Sequence, residues 1–213
     1  MILAFDHLTL SSNDFDVDCA MLQRRGFTER FIERGVTNPS VKRSLVQHFA
    51  PAHDLGYFDA PGSLSIEVIN QGNIVAKSPE LEPVFENEAL VREFILRISD
   101  LQSALRLWEQ LGFMTEKQST GKARLRFVSA LERLPVTLNL VAEPTRTVAS
   151  IDTCGFGAPT LLSSSPEWER QTLEQAGFTV TALEPIHVGG KDLVLFFVYA
   201  PQVPPVEIIC VKR

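Results

Sequence analysis

Apolar positions along the chain follow a pattern that occurs three times. Each copy starts with a stretch that alternates apolar and polar residues, which predicts a β-strand. An apolar stripe at helical spacing follows, and a Gly-Phe pair then ends the helix and starts another strand. The three pairs are Gly26-Phe27, Gly112-Phe113 and Gly177-Phe178. Three more strand-like stretches complete each copy, so we predict three tandem units of the order strand, helix, three strands (βαβββ).

The first unit is predicted to span residues 1–70. Its first strand covers residues 3–10. Ser12 or Asn13 is expected to cap the helix, because a side-chain oxygen can accept bonds from the free N–H groups of a first turn. The apolar stripe of this helix is formed by Phe15, Cys19 and Leu22. Further strands are predicted at 27–34, 54–60 and 63–69, with an irregular segment at 35–53 in which residues 45–49 can be extended.

The second unit is predicted at 92–143 and the third at 150–213. A linker at 71–91, rich in proline and glutamate, is expected to be solvated. Ser99 and Ser165 are the expected helix caps, and Pro166 suits a first helical position. The predicted strands are 93–98, 113–118, 123–130 and 135–142 in the second unit, and 178–184, 192–200 and 205–211 in the third. The predicted fold is therefore α+β, with tandem βαβββ modules forming curved mixed sheets and helices on the outer face.

Composition narrows the class of protein. The 213 residues are 45% hydrophobic and carry a formal net charge of −6, without a basic block, so we expect no nucleic-acid partner. The apolar runs are too short for a membrane span, and no signal peptide is visible. The three cysteines, Cys19, Cys154 and Cys210, are widely spaced in apolar surroundings. They are typical of reduced thiols, and a cytoplasmic location is expected.

Alternation along the strands predicts which side chains face a cavity. In the first strand, Leu8 and Leu10 are expected under the helix, with Phe5, His7 and Thr9 on the opposite face. In the last strand of the first unit, Glu67 is expected on the face opposite the apolar set Leu64, Ile66 and Val68. His7 and Glu67 can therefore point into the same space.

Equivalent positions follow from counting back from the repeat glycines. The residue 19 positions before each glycine is His7, Glu93 or Ala158. The last strands place Glu67, Asn139 and Glu207 at a second set of equivalent positions. Four of these six side chains bind metal ions well, and asparagine does so weakly.

Three segments together resemble the vicinal oxygen chelate superfamily, which includes glyoxalase I, extradiol dioxygenases and bleomycin-resistance proteins. They are Phe5-Asp6-His7-Leu8-Thr9-Leu10, Ser65-Ile66-Glu67-Val68, and Ser99-Asp100-Leu101 leading to Leu111-Gly112-Phe113. The resemblance implies a glyoxalase-like fold and one divalent metal held by the first and last strands of two paired units. Neighbouring oxygens of a substrate would complete the coordination.

Carried over by position, the resemblance implies a metal site of His7, Glu67 and Glu93, with Asn139 at the fourth position. Glu67 or Glu93 would also act as the catalytic base, and the ion would be manganese, nickel, zinc or iron. The family commonly has a histidine at the Glu93 position and a carboxylate at the Asn139 position. This set is not a two-histidine, one-carboxylate triad, which disfavours dioxygen chemistry. Because Ala158 offers no ligand, Glu207 alone is not expected to form a second site.

Candidate substrate-binding residues lie near these positions. Arg124 and Arg126 leave the same face of a strand, and Arg97 can join them to bind a carboxylate or phosphate. The common alternative is a charged, solvated face. Asn139 and Tyr57 are further candidates for substrate binding. His48 or His53 could act as a general acid or base from the irregular segment.

Three functions remain open from the sequence. The first is a metal-dependent lyase or isomerase acting on a small oxygenated metabolite. The second is a metal-free protein that binds a small molecule, of the resistance or sequestration type, and the third is an interaction module that has lost its site. We find no glycine-rich phosphate loop and expect no nucleotide cofactor. A homodimer is expected. The third unit must pack across a dimer axis, cap the other two, or pair with unit two and leave unit one to a partner chain.

Overall fold

A computed structural model describes residues 1–72, 81–85, 91–129, 131, 134–145, 147 and 150–212. These residues form fourteen strands, three α-helices and one short 3-10 helix. The first unit consists of β1 (Ile2–Ser11), α1 (Phe15–Arg24), β2 (Thr28–Thr37), the 3-10 helix (Ser40–Ser44), β3 (Ala52–Asp59) and β4 (Ser65–Asn70).

The rest of the chain repeats this order. The middle segment consists of β5 (Leu81–Phe85), β6 (Val91–Ile98), α2 (Leu101–Gln110), β7 (Met114–Ser119), β8 (Lys122–Phe127) and β9 (Val136–Ala142). The last consists of β10 (Gly155–Ser163), α3 (Pro166–Gln175), β11 (Thr179–Val180), β12 (Glu184–Val188), β13 (Lys191–Tyr199) and β14 (Val206–Val211). The predicted α+β class is confirmed. None of the helices in the described residues is long and apolar enough to cross a membrane.

The helix ends follow local chemistry, with one difference from the sequence prediction. Asp14 caps α1 and Asp100 caps α2, each accepting backbone N–H bonds with its carboxylate. The predicted caps Ser12 and Ser99 precede them, and Ser12 instead donates to Asp18 at 2.6 Å. A carboxylate adds negative charge at the positive end of the helix dipole, which favours aspartate over serine here. The glycines of the three Gly-Phe pairs have φ values of 85°, 92° and 87°, as a left-handed helix end requires.

Units one and three are joined through their first strands. Strand β1 pairs antiparallel with β10, and each is flanked by the last strand of its own unit in parallel, β4 beside β1 and β14 beside β10. This pairing differs from all three arrangements expected for the third unit. Because β1 and β10 bond to each other directly, the inner faces of units one and three meet within one chain.

Unit two joins this assembly through β5. The strand lies within the range predicted as a solvated linker, but Leu81 is fully buried and pairs with Phe156 of β10. Strand β5 also pairs with β6 along its length. Residues 73–80 and 86–90 of the predicted linker lie outside the described residues. Burial of Leu81 explains why the described part of this range is a strand: its apolar side chain is covered by the core.

One large apolar core runs under all three helices. Its largest fully buried side chains include Trp108, Phe5, Phe58 and Phe94. Leu64, Ile66 and Val68 belong to this core, which confirms the faces predicted for β4. A smaller cluster lies beneath the segment that follows the 3-10 helix, and it is formed by Leu45, Ile151, Ala158, Leu195, Phe197 and Ile209. Cys19 is buried, whereas Cys154 and Cys210 are half-buried.

Candidate functional site

The inner faces of units one and three enclose a cleft of about 610 Å³, a volume typical of small-molecule sites. Alternating residues of several strands supply its walls. On unit one these include Leu55, Tyr57, Ser65 and Glu67, and on unit three Leu193, Leu195, Glu207 and Ile209. Polar groups gather at the bottom, where β1 and β10 meet.

Three potential metal ligands converge in this cleft. His7 on β1, Glu67 on β4 and Glu207 on β14 each offer one ligand atom, and these atoms lie within 4.8 Å of one another. His7 and Glu207 are buried, and Glu67 is half-buried. One imidazole nitrogen with two carboxylates is a donor set that suits a divalent transition-metal ion. The cluster therefore combines two residues from unit one with one from unit three.

A threonine orients each of the two carboxylates. Thr9 donates its hydroxyl to Glu67 at 3.0 Å, and Thr160 donates to Glu207 at 3.1 Å. Thr9 lies directly opposite Glu67 in the β1–β4 pair, and Thr160 lies directly opposite Glu207 in the β10–β14 pair. The two halves of the cluster are thus related by the repeat.

His7 is held in an orientation that suits a metal ligand. Its Nδ1–H donates to Asp6 at 2.8 Å, and Tyr57 donates its hydroxyl to the same carboxylate oxygen at 3.0 Å. The other ring nitrogen, Nε2, is buried without a hydrogen-bond partner among the described residues, and lies 3.6 Å from Glu67. A carboxylate behind a histidine is the usual outer partner of a histidine that binds a metal. The residues present therefore fit a divalent ion.

A β-bulge in β1 places Asp6 beside His7. Phe5 pairs with Leu161 and His7 with Thr160, so two steps along β1 correspond to one step along β10. The extra residue turns Asp6 and His7 toward the cleft and leaves Phe5 in the core. The sequence prediction that Phe5 shares a face with His7 is therefore wrong, because strict alternation does not hold across a bulge.

The charges of the cluster are coupled. Burial alone would lower the pKa of His7, but the Glu67 carboxylate and the hydrogen bond to Asp6 raise it to about 10. Burial opposes ionisation of Glu67, yet the charge of His7 brings its pKa down to about 2. Burial and the neighbouring Glu67 raise the pKa of Glu207. Without a metal ion, His7 and Glu67 therefore form a charged pair beside Glu207.

The equivalent positions of unit two are satisfied by side chains of that unit. Asn139 donates to Glu93 at 2.6 Å, and Arg124 donates to the same oxygen at 3.1 Å. The guanidinium of Arg124 thus supplies the positive charge next to Glu93. The structure brings His7 and Glu67 together with Glu207, and places Glu93 on the sheet of unit two.

The predicted arginines also lie on unit two. Arg97 pairs with Glu82 at 2.8 Å and with Glu143 at 3.1 Å, and Arg126 lies 3.5 Å from Glu116. Of the predicted substrate-binding residues, Tyr57 lines the cleft between units one and three. Its ring stacks on Phe31 with centroids 5.7 Å apart.

The two histidines of the irregular segment have different positions. His48 is exposed, and its backbone N–H donates to the Asp152 carboxylate at 2.9 Å. Asp152 also accepts from the backbone of Gln47, which explains why residues 45–49 form a turn-rich loop. His53 is 5% exposed on β3 and lines the cleft.

Comparisons with known proteins concern the fold. No protein-family model and no curated protein matches the chain. Among solved structures, glyoxalase I of Zea mays aligns with a TM-score of 0.42 and 13% identity, over 98% of this chain and 67% of that enzyme. A glyoxalase/bleomycin resistance protein/dioxygenase of Alicyclobacillus acidocaldarius aligns with a TM-score of 0.45 and 14% identity, over 61% of this chain and 96% of that protein.

The topology itself decides the architecture. Two units with a helix after the first strand are joined side by side, and the first and last strands of both line one cleft. The chain has a glyoxalase-like α+β fold of tandem βαβββ units. Units one and three form the cleft, and unit two extends the sheet through β5 and β6.

Sequence reasoning discounted Glu207 and did not consider Asp6, Lys42 or Thr160 as site residues. A signal for Glu207 was present in the repeat. Units one and three both combine a threonine of the first strand with a glutamate of the last, whereas unit two has Ile95 and Asn139 at these positions. The bulge in β1 places Asp6 at the site, and the segment between β2 and β3 places Lys42 there. No periodic pattern in the sequence marks either position.

The pH dependence of stability tests the buried position of His53 in the cleft. Burial and then the nearby Lys42 lower the pKa of His53 to about 4. Between pH 6.5 and 4, His53 is therefore protonated in the unfolded chain but not in the native state. The free energy of unfolding falls as the pH falls through this range. The loss is about 3 kcal/mol over that window, at 1.36 kcal/mol per pKa unit.

Urea unfolding of the metal-free protein between pH 4 and 7 measures this effect. In His53→Phe, which cannot take up a proton, the decline in the free energy of unfolding should be shallower by this amount. Equal declines in wild type and variant would show that the His53 imidazole titrates normally in the fold.

Proposed function

We propose that the protein binds one divalent metal ion through His7, Glu67 and Glu207 and acts on a small oxygenated molecule in the cleft between units one and three. The observation that carries the proposal is the convergence of these three side chains, from two units, at the bottom of one cleft. The buried Nε2 of His7 makes no hydrogen bond among the described residues, and this detail favours a ligand there.

The ion would be manganese, nickel, zinc or iron(II), because a set of one nitrogen and two oxygens does not discriminate sharply among them. When bound, such an ion supplies a Lewis acid that polarises adjacent oxygens of a substrate. The fourth ligand position of the paired units holds Ala158, which has no donor atom. With three side-chain ligands, the remaining coordination positions would be open to substrate oxygens from the cleft.

The residues of this chain have separate tasks in the proposed reaction. Asp6 fixes the ring of His7 with Nε2 toward the cluster, while Thr9 and Thr160 hold the two glutamates. Glu67 and Glu207 face the cleft from opposite units, so either carboxylate can accept or return a proton of the substrate. This division of work suits a lyase or isomerase whose key step is a proton transfer beside a carbonyl.

A second candidate is a metal-free protein that binds a small molecule. The observation that favours it is the charge balance already present in the cluster, where His7 lies 2.8 Å from Asp6 and 3.6 Å from Glu67. Such a pair is stable without a metal ion. The homodimer and the cytoplasmic location predicted from the sequence stay predictions.

Metal analysis separates the two candidates. Protein purified without chelators should contain one divalent ion per chain, and dialysis against EDTA should lower the melting temperature. Adding back manganese, nickel, zinc or iron(II) should restore it, since an ion that binds only the native state stabilises the fold by mass action.

The matched control is His7→Gln, which keeps a polar side chain but removes the imidazole. The variant should lose both the bound ion and the thermal shift. No stoichiometric ion and no shift with any of the four metals in wild type would reject the metal-dependent function and favour the metal-free binder.

A further inference from the structure

Lys42 is a buried cation directed into the cleft. It is 7% exposed, lies in the 3-10 helix between β2 and β3, and lines the cleft of units one and three. Its ammonium has no hydrogen-bond or ion-pair partner among the described residues. The side chain is thus mostly covered by the protein, while its charge remains available to a ligand in the cleft.

The nearest carboxylates are already engaged with other groups. Glu67 accepts from Thr9 and faces His7, and Glu207 accepts from Thr160. The Lys42 charge acts on both only at a distance, where it opposes the upward effect of burial on the pKa of each. Lys42 is therefore not the direct counter-ion of either glutamate.

His53 is a second polar group without a partner at the same place. It is 5% exposed, and neither ring nitrogen has a hydrogen-bond partner among the described residues. The nearby Lys42 contributes, after burial, to the lowered pKa of His53, which keeps the imidazole neutral at pH 7. A neutral imidazole retains one N–H donor, so Lys42 and His53 together present an ammonium and an N–H to the cleft.

The loop that carries Lys42 is fixed to unit three. The carboxylate of Glu184 on β12 accepts from the backbone N–H groups of Ser40 and Val41, both at 2.8 Å, and from the Ser40 hydroxyl at 3.0 Å. Asp152 holds the following turn through the N–H groups of Gln47 and His48. Five hydrogen-bonding groups thus hold the loop across the two units and fix the backbone from which Lys42 extends into the cleft.

We propose that Lys42 and His53 bind an anionic group of the ligand, so that the molecule taken by the cleft is a carboxylate or a phosphate ester rather than a neutral compound. The part of the ligand that would contact the metal ion rests on the proposed function. The anion site at Lys42 and His53 does not. A divalent ion bound at Glu67 and Glu207 would offset their negative charges, and so weaken their repulsion of an anionic ligand beside Lys42. A charged hydrogen bond of this kind contributes enough for about a tenfold gain in affinity or more.

Binding of malonate, its neutral diamide malonamide, and inorganic phosphate tests the proposal by calorimetry at constant ionic strength. The measurements are made on the EDTA-treated protein and on the protein with manganese. Wild type should bind malonate or phosphate at least about tenfold more tightly than malonamide in one or both forms. The comparison of malonate with phosphate shows which anion the site prefers.

Lys42→Met, which keeps the length of the side chain, should lose this preference, whereas Lys42→Arg should keep most of it. Lys191→Met is the matched control, because Lys191 is an exposed cation on the same cleft. This variant should keep the wild-type preference for anions over malonamide. Circular dichroism confirms that each variant is folded.

Two results would overturn the anion site: no preference for anions in either form of wild type, or a preference that persists in folded Lys42→Met. A protein that binds no manganese would reject the metal-dependent function, while the EDTA-treated samples would still decide the role of Lys42.

Discussion

Glu207→Gln should weaken binding of the divalent ion by more than about a hundredfold. Changes to groups that only support metal ligands already cost 10–100-fold in affinity, and Glu207 is a proposed ligand itself. Glutamine keeps the size of the side chain and can still accept the hydrogen bond from Thr160. The expected loss therefore reports the missing negative charge rather than a change in packing.

Glu93→Gln is the matched control, because it makes the same substitution at the repeat position that the sequence favoured. Glu93 is held by Arg124 and Asn139, and the affinity for the ion should stay within about twofold of wild type. Calorimetric titration of the EDTA-treated variants with manganese measures both affinities. A hundredfold loss in Glu93→Gln with normal binding in Glu207→Gln would place the ion on unit two and reject the proposed cluster.

Phe5→Ala should lower the free energy of unfolding by about 3–5 kcal/mol, the usual cost of removing a buried aromatic ring. Phe5 is fully buried, and its ring centroid lies 5.2 Å from that of Phe94 and 6.4 Å from that of Phe113. It therefore connects β1 of unit one to the core of unit two. The loss of this ring should also loosen the bulge that holds Asp6 and His7, so the affinity for the ion should fall as well.

Guanidinium unfolding measures the first part of this prediction, and manganese titration of the folded variant measures the second. Val17→Ala on the exposed face of α1 is the control and should change stability by less than about 0.5 kcal/mol. A cost below about 1 kcal/mol for Phe5→Ala would mean that β1 and β6 are not packed through this ring.

Local patterns in the sequence predicted much of the fold. The apolar stripes and the Gly-Phe pairs identify the helices and the strands that follow them, because helix ends and strand alternation depend on neighbouring residues. The face of Glu67 followed from alternation on β4. The face of Phe5 did not, since a bulge depends on the pairing of β1 with β10, which no local pattern shows.

The sequence also did not predict which two units pair to form the cleft. Pairing of β1 with β10 joins residues between 144 (Ser11 and Gly155) and 161 (Ile2 and Ser163) positions apart. The ligand count favoured Glu93 and Asn139 over Glu207. In unit two, Arg124 donates a hydrogen bond to Glu93 from another strand. Spacing along one strand cannot predict such a contact. Lys42 lies in a loop whose course is set by Glu184 and Asp152 of unit three.

Location of the ion tests the central claim most directly. A crystal of the protein soaked in manganese chloride, measured near the manganese absorption edge, should give one strong anomalous peak bounded by His7 Nε2 and the carboxylates of Glu67 and Glu207. A peak beside Glu93 and Asn139, or no peak in the cleft at saturating manganese, would contradict the account.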